Sequence, residues 1–331
     1  MSDFKDLRAL ANINISNCGR IKSLPLASVT KEYFKKLHID LNYPLLIKGA
    51  VAEWPATKKW SDGFLKSTLK KTDLSFFRSM NLNDAEYMRS TVQSIKGDEY
   101  IKLRQNSEEE ILSAPHLVLD KEWLSYNGDL YKIGLESMIK DTKPFPFLDG
   151  VKPGVSSPFY RLYLYKNAGT GWHEHPNDEY IMCQIKGSKR VAMFASTKIK
   201  DDYPSFFNDM QKNDYLFVED YFSKVEKNIL VADVEEGDGL YIPPHWFHGV
   251  DTLDKSPGTT LVFSWRPPLH KLGNFRYPSI KRILAYVFKN GSRKMALGYL
   301  AMTLASNFIS LMKFTASLFK KNDGGVKFGK Y

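Results

Sequence analysis

Cysteine is scarce in this 331-residue chain: only Cys18 and Cys183 occur, far apart, with no CxxC pair. That excludes a zinc ribbon, a thioredoxin-like redox pair and a disulfide framework, and it suits a reducing compartment. No block of five or more like charges appears, although Lys and Arg outnumber Asp and Glu by 47 to 37. A dedicated nucleic-acid arm is therefore not expected. The net charge of +10 favours anionic partners, such as an acidic substrate or a membrane surface. The N-terminal stretch MSDFKDLRALANINIS lacks the apolar run of a signal peptide, so a cytoplasmic location is expected. No internal repeat is present. Histidine is also rare, at seven residues, and this makes its distribution informative.

What is present is ample core material, with 43% hydrophobic and 14% aromatic residues. The first half reads as mixed α/β. Helices are expected over residues 30–37 and 60–69, strands over 45–47 and 74–78, and helix and loop over 106–155. The middle changes character. Residues 159–165 alternate and are aromatic, and 179–184, 190–194, 228–231, 239–242 and 259–265 continue as short β-prone runs. Gly, Pro or Asn-Asp punctuate them, which is the pattern of a barrel or sandwich. From residue 280 the pattern turns helical. Residues 295–312 contain no charge and approach the length of a membrane span, although Gly298, Tyr299, Thr303, Ser306, Asn307 and Ser310 interrupt them.

Four of the seven histidines fall in two short segments, Trp172-His173-Glu174-His175 and Pro243-Pro244-His245-Trp246-Phe247-His248. Along a strand, residues i and i+2 share a face, so His173 and His175 can reach one metal while Glu174 points away. His248, after the Gly237-Asp238 turn and a short strand, supplies a third ligand. His245 reads as a nearby residue that touches no metal. Imidazoles suit Fe, Zn, Cu or Ni, and three facial ligands leave positions open.

These segments resemble the JmjC and cupin-like Fe(II)/2-oxoglutarate oxygenases, and within them the hypoxia-response asparaginyl hydroxylases. The resemblance rests on Thr170-Gly171-Trp172-His173, on Gln184-Ile185-Lys186-Gly187-Ser188-Lys189, and on Gly237-Asp238 with Pro243 and Trp246-Phe247-His248. Tyr43-Pro44-Leu45-Leu46-Ile47-Lys48-Gly49, Glu53-Trp54-Pro55-Ala56 and Trp60 extend it toward the N-terminus, so it covers about residues 20 to 270. It implies a mainly β fold: a double-stranded β-helix (cupin, or jelly-roll) core over about 156–268. N-terminal α/β elements would complete a domain over 1–270, and a helical extension would occupy 271–331. It implies Fe(II) and 2-oxoglutarate as cofactors, with Lys189 pairing with the far carboxylate of 2-oxoglutarate and Thr170 bonding to it. Tyr100 is a candidate for the same carboxylate, in competition with Tyr163 and Tyr165. Tyr180 stands where the family carries an asparagine.

One departure is chemical: His175 replaces the family's carboxylate ligand. A segment one residue longer than usual between His173 and Gln184 leaves Asp178 or Glu179 as further metal-ligand candidates, and HxHxxxE is also a general cupin pattern. The expected activity is hydroxylation of a protein or peptide side chain or of a small molecule. The alternatives are a three-His cupin dioxygenase that does not use 2-oxoglutarate, or a non-catalytic metal-binding protein. The apolar C-terminal helix is expected to serve a homodimer or lid packing, with peripheral membrane contact through an amphipathic helix as the second reading and a true membrane span as the third.

Overall fold

The computed structural model describes residues 9–10, 13–79, 92–107, 110–121, 123–124, 130–131, 134–212 and 217–319; the Lys320-Lys321 pair lies outside them. The chain divides into two units, Met1–Arg266 and Pro267–Tyr331.

Eight strands form the centre of the first unit: β1 Tyr160–Lys166, β2 Thr170–His173, β3 Glu179–Lys186, β4 Lys189–Ala195, β5 Leu230–Val234, β6 Gly239–Ile242, β7 Trp246–Thr252 and β8 Gly258–Trp265. One sheet contains the order β5-β4-β7-β2 and the other β6-β3-β8-β1. The chain crosses between sheets at nearly every connection, which is the jelly-roll winding of a double-stranded β-helix. The two sheets face each other as a sandwich and do not close into one hydrogen-bonded barrel. Leu45–Lys48 extends the second sheet beyond β6, and Ile111–Val118 and Asp73–Ser79 extend it beyond β1.

Strand alternation sorts the side chains into three layers. Tyr180, Met182, Leu240 and Ile242 from one sheet pack against Val191, Met193, Val234 and Val250 from the other, so this cluster lies between the sheets. Ile181, Cys183, Tyr241, Leu162, Leu164 and Leu261 face outward, under N-terminal elements that include Trp60, Leu65 and Tyr100 of helix α1 (Gly97–Asn106). Phe194 and Phe247 face outward on the other side, under Phe206 and Met210 of helix α2 (Tyr203–Lys212). Each such large apolar side chain contributes about 1.5–3 kcal/mol by leaving water.

Three sequence expectations change. The stretch 106–155 contains the strand Ile111–Val118, which Pro115 disguises. Proline cannot donate to the ladder, and the pairing with β1 breaks register between Ala114 and Leu117. The helix expected from Trp60 starts at Asp62, because Ser61 Oγ accepts the Phe64 amide at 3.3 Å and caps it. Trp60 instead donates its indole N–H to Asp141 at 2.9 Å. The helix expected over 30–37 is a short α-turn, Lys31–Phe34, that widens into a π-turn over Lys35–Ile39.

In the second unit, short helix α3 (Leu269–Leu272) and helix α4 (Pro278–Asn290) both pack against the 27-residue helix α5 (Arg293–Phe319).

Candidate metal centre

Strand β7 acts as a ruler for the site. Its residues His248, Val250 and Thr252 share the face between the sheets, because Val250 and Met193, the partner of His248 on β4, belong to that layer. On one flank, β2 sets His173 beside His248 and Thr170 beside Val250. On the other, β4 sets Lys189 beside Thr252. Thr170 and His173 are three positions apart, an odd spacing that would send them to opposite faces of a regular strand. A bulge in this stretch absorbs the extra residue and turns both inward. Gly187, at φ +77°, turns the chain from β3 toward β4 and so sets the position of Lys189.

The three histidines converge. Ligand atoms of His173, His175 and His248 all lie within 4.8 Å of one another, and His173 Nε2 is 3.0 Å from His175 Nε2. A carbonyl can only accept, so His173 Nδ1–H donates to Gly171 O at 2.7 Å and His248 Nδ1–H donates to Trp246 O at 3.0 Å. Each bond fixes the tautomer and leaves Nε2 with its lone pair free. Burial lowers the basicity of all three rings, most strongly for His175 and His248. They are therefore neutral, the state a metal needs. Two nitrogens at about 2.1 Å from a shared ion and at right angles to one another would be about 3.0 Å apart. The donor set fits a divalent transition metal.

His175 lies beyond the end of β2 and is held from two sides. Its ring packs at a tilt of 41° against Tyr180, with centroids 4.2 Å apart, and its carbonyl accepts the His245 amide at 3.2 Å. His245 adopts φ +64° in the turn before β7, which aims that amide. The imidazole of His245 is not one of the converging ligands; its part is positioning.

The carboxylate candidates are corrected. Glu179 alternates with Tyr180 along β3, on the same side as Ile181, so it faces the outer layer and accepts the Tyr241 hydroxyl there. It does not join the histidines. Asp178 is engaged by the loop before β1: it accepts the Val155 amide, the Ser156 amide at 3.1 Å and the Ser156 hydroxyl. Burial raises its pKa and these donors oppose the rise. Replacing Asp178 with Ala strands buried donors, so unfolding in urea should show a loss of roughly 1–3 kcal/mol.

Tyr100 is corrected as well. It is wholly buried in the outer layer, and its hydroxyl donates to Leu164 O at 2.8 Å, behind the sheet. Tyr180 stands beside the histidines, its hydroxyl paired with Ser157. Thr170 and Lys189 both face the inter-sheet space, two β7 positions apart.

Lys189 is the electrostatic anomaly. It is 5% exposed, and its Nζ sits 3.9 Å from the centre of the Tyr165 ring. Among the described residues no carboxylate neutralises it, and desolvation alone lowers its pKa to about 7. Gln184 fixes the Tyr165 ring by donating to its hydroxyl at 2.6 Å.

Sequence reasoning missed Arg161. On β1 it alternates with the outward Leu162, together with Tyr163, and its charge lowers the basicity of His173 and His175. The signal was available: an arginine on the same face as two tyrosines in an otherwise apolar strand.

Residues 30–269 match the family model described as cupin-like domain. The chain belongs to the cupin-like domain family. The metal-competent triad of this cupin-like chain therefore sits within a fold family consistent with a metal-dependent, oxygenase-type role. The cupin-like chain is also similar to HSPB1-associated protein 1 of Homo sapiens, at 23% identity over 250 residues. That alignment covers 71% of this chain and 50% of the human protein, so the chain spans about half the length of that relative.

Proposed function

We propose that this chain is an Fe(II)- and 2-oxoglutarate-dependent oxygenase that hydroxylates a protein or peptide side chain or a small molecule. The observation that carries the reading is Lys189, a desolvated cation with no carboxylate partner among the described residues, on the same inter-sheet face as the histidines. A buried cation of this kind calls for an anionic ligand. From Lys189 to Met193, the partner of His248, is four residues of β4, about 13 Å of strand. The lysine stem takes up part of that length, and a five-carbon dicarboxylate reaching a metal at the triad matches the rest.

Bound iron and 2-oxoglutarate would supply the oxidation, with the co-substrate decarboxylated to succinate. The chain's own residues bind, orient and shield. His173, His175 and His248 present neutral nitrogens. Lys189 takes the far carboxylate and the Thr170 hydroxyl adds a bond to it, while the Tyr165 ring keeps the ammonium out of water. Arg161 and Tyr163 lie on the same face as Tyr165 and suit the orientation of a polar substrate. All three candidate ligands are neutral imidazoles, so negative charge at a bound metal would have to come from a bound dicarboxylate.

That same ligand set favours a second reading, a three-His metal protein that does not use 2-oxoglutarate. Succinate release separates the two. With Fe(II), oxygen and 2-oxoglutarate, the protein should release succinate above its metal-free and Lys189→Met controls. Metal binding with neither succinate nor any 2-oxoglutarate effect on stability would favour the second reading and overturn the first.

A further inference from the structure

The excess positive charge of this chain is confined to its second unit. Residues 267–331 hold twelve of the 47 Lys and Arg but only one of the 37 acidic residues, Asp323. The first 266 residues are thus close to neutral.

Helix α5 in that unit has two contrasting faces. Thr303, Ser306, Asn307 and Ser310 recur at helical spacing and form one stripe. That stripe is engaged by the turn after α3. The Gly273 amide donates to Ser306 Oγ at 3.3 Å, Asn307 Nδ2 donates to Gly273 O at 2.9 Å, and Asn274 Nδ2 donates to Ser310 Oγ at 2.8 Å. Thr303 Oγ1 donates to Tyr299 O at 2.8 Å, so four of the residues that interrupt the charge-free run 295–312, Thr303, Ser306, Asn307 and Ser310, are bonded inside the unit. The other face carries Leu297, Leu304, Phe308 and Leu311, a second helical stripe, exposed by 65%, 59%, 64% and 58%. A continuous apolar stripe of this kind marks an interaction surface. Arg293, Lys294 and Lys313 bracket it, and Lys320 and Lys321 follow in the sequence.

We propose that α5 lies in the plane of a membrane that carries anionic lipid. Its Leu297–Leu304–Phe308–Leu311 stripe enters the acyl-chain boundary and its basic residues meet the headgroups. Charge complementarity selects this occupant. A second copy would bring two strongly basic units together, whereas an anionic surface attracts one. The helix is long and apolar enough to cross a membrane. However, its middle is bonded to the 270–275 turn, whose neighbours Lys271 and Arg276 would then sit near the bilayer centre, where charge is costly. Lying in the interface leaves that turn on the aqueous side.

The test is co-flotation of the full chain with vesicles of phosphatidylcholine alone or with phosphatidylserine added. Binding is expected to the phosphatidylserine vesicles, to fall in high salt, and to be released by an alkaline carbonate wash. The pair Phe308→Asp and Leu311→Asp should weaken it at least about tenfold. Both positions are exposed, so the melting temperature should be unchanged. Arg293→Glu with Lys313→Glu should remove the preference for phosphatidylserine. Failure to float with phosphatidylserine vesicles overturns the proposal. So does resistance to carbonate, which means a span, or a solution dimer that Phe308→Asp dissociates, which means a second copy covers the stripe.

Discussion

Replacing Lys189 with methionine is expected to raise the stability of the ligand-free protein and to erase its response to 2-oxoglutarate. Most changes to a buried strand residue destabilise, so the opposite sign is diagnostic. Methionine keeps an unbranched stem and removes the desolvated charge. In the folded chain the Lys189 pKa is lowered to about 7, whereas an unfolded lysine titrates near about 10.4. The penalty is fully present below pH 7, where both states are protonated. It fades as pH rises through the window between the two values, where only the unfolded chain holds the proton, and it is gone above the unfolded pKa. Its size at pH 7 or below is on the order of a few kcal/mol, reduced by the contact with the Tyr165 ring. Urea unfolding across pH 7 to 10 should show stability rising in the native protein relative to Lys189→Met. At pH 7 the variant should be the more stable, with no gain from 2-oxoglutarate. A variant that is less stable at pH 7 and still stabilised by 2-oxoglutarate would contradict this role.

The second large effect concerns His248. A metal present at about a hundred times its dissociation constant stabilises the folded state by about 2.7 kcal/mol. If His248→Ala weakens binding about a hundredfold, that gain falls to about 0.4 kcal/mol at the same metal concentration. Thermal melts with Mn(II), a redox-quiet divalent probe, read this directly. Two controls sharpen it. His245→Asn keeps a residue that tolerates the left-handed turn and lies outside the ligand set, so its metal response should persist. His175→Asp restores a carboxylate ligand and should also retain metal binding. If His245→Asn loses the metal shift and His248→Ala keeps it, the triad is misassigned.

Much of this site was legible because β-structure has period two. The alternation Lys189, Val191, Met193 points the lysine inward, whereas His175, for which the i, i+2 rule gave the right neighbour, lies past the end of β2 and is held beside His173 by the Tyr180 ring and the His245 amide. The turn signals at Gly187 and Gly237 mark strand ends that the fold uses. What failed was direction and distance. Glu179 and Tyr180 are neighbours, and a shift of one residue exchanges which of them faces the histidines; composition does not choose. Tyr100 reaches the back of the sheet through a contact with Leu164, far along the chain, which no local pattern encodes. The bulge between Thr170 and His173 is equally silent, yet without it those two residues would not share a face. Pro115 hid a strand by mimicking a loop signal. The stripe of small polar residues on α5 read as interruptions to a span, but it is the seam that holds the helix to its own unit.

The most direct measurement is a crystal structure of the complex with Mn(II) and 2-oxoglutarate. One ion should be bound by Nε2 of His173, His175 and His248. The far carboxylate of 2-oxoglutarate should lie within hydrogen-bond distance of Lys189 Nζ and Thr170 Oγ1. An ion held elsewhere, or a 2-oxoglutarate whose far carboxylate leaves Lys189 without an anion, would contradict this assignment.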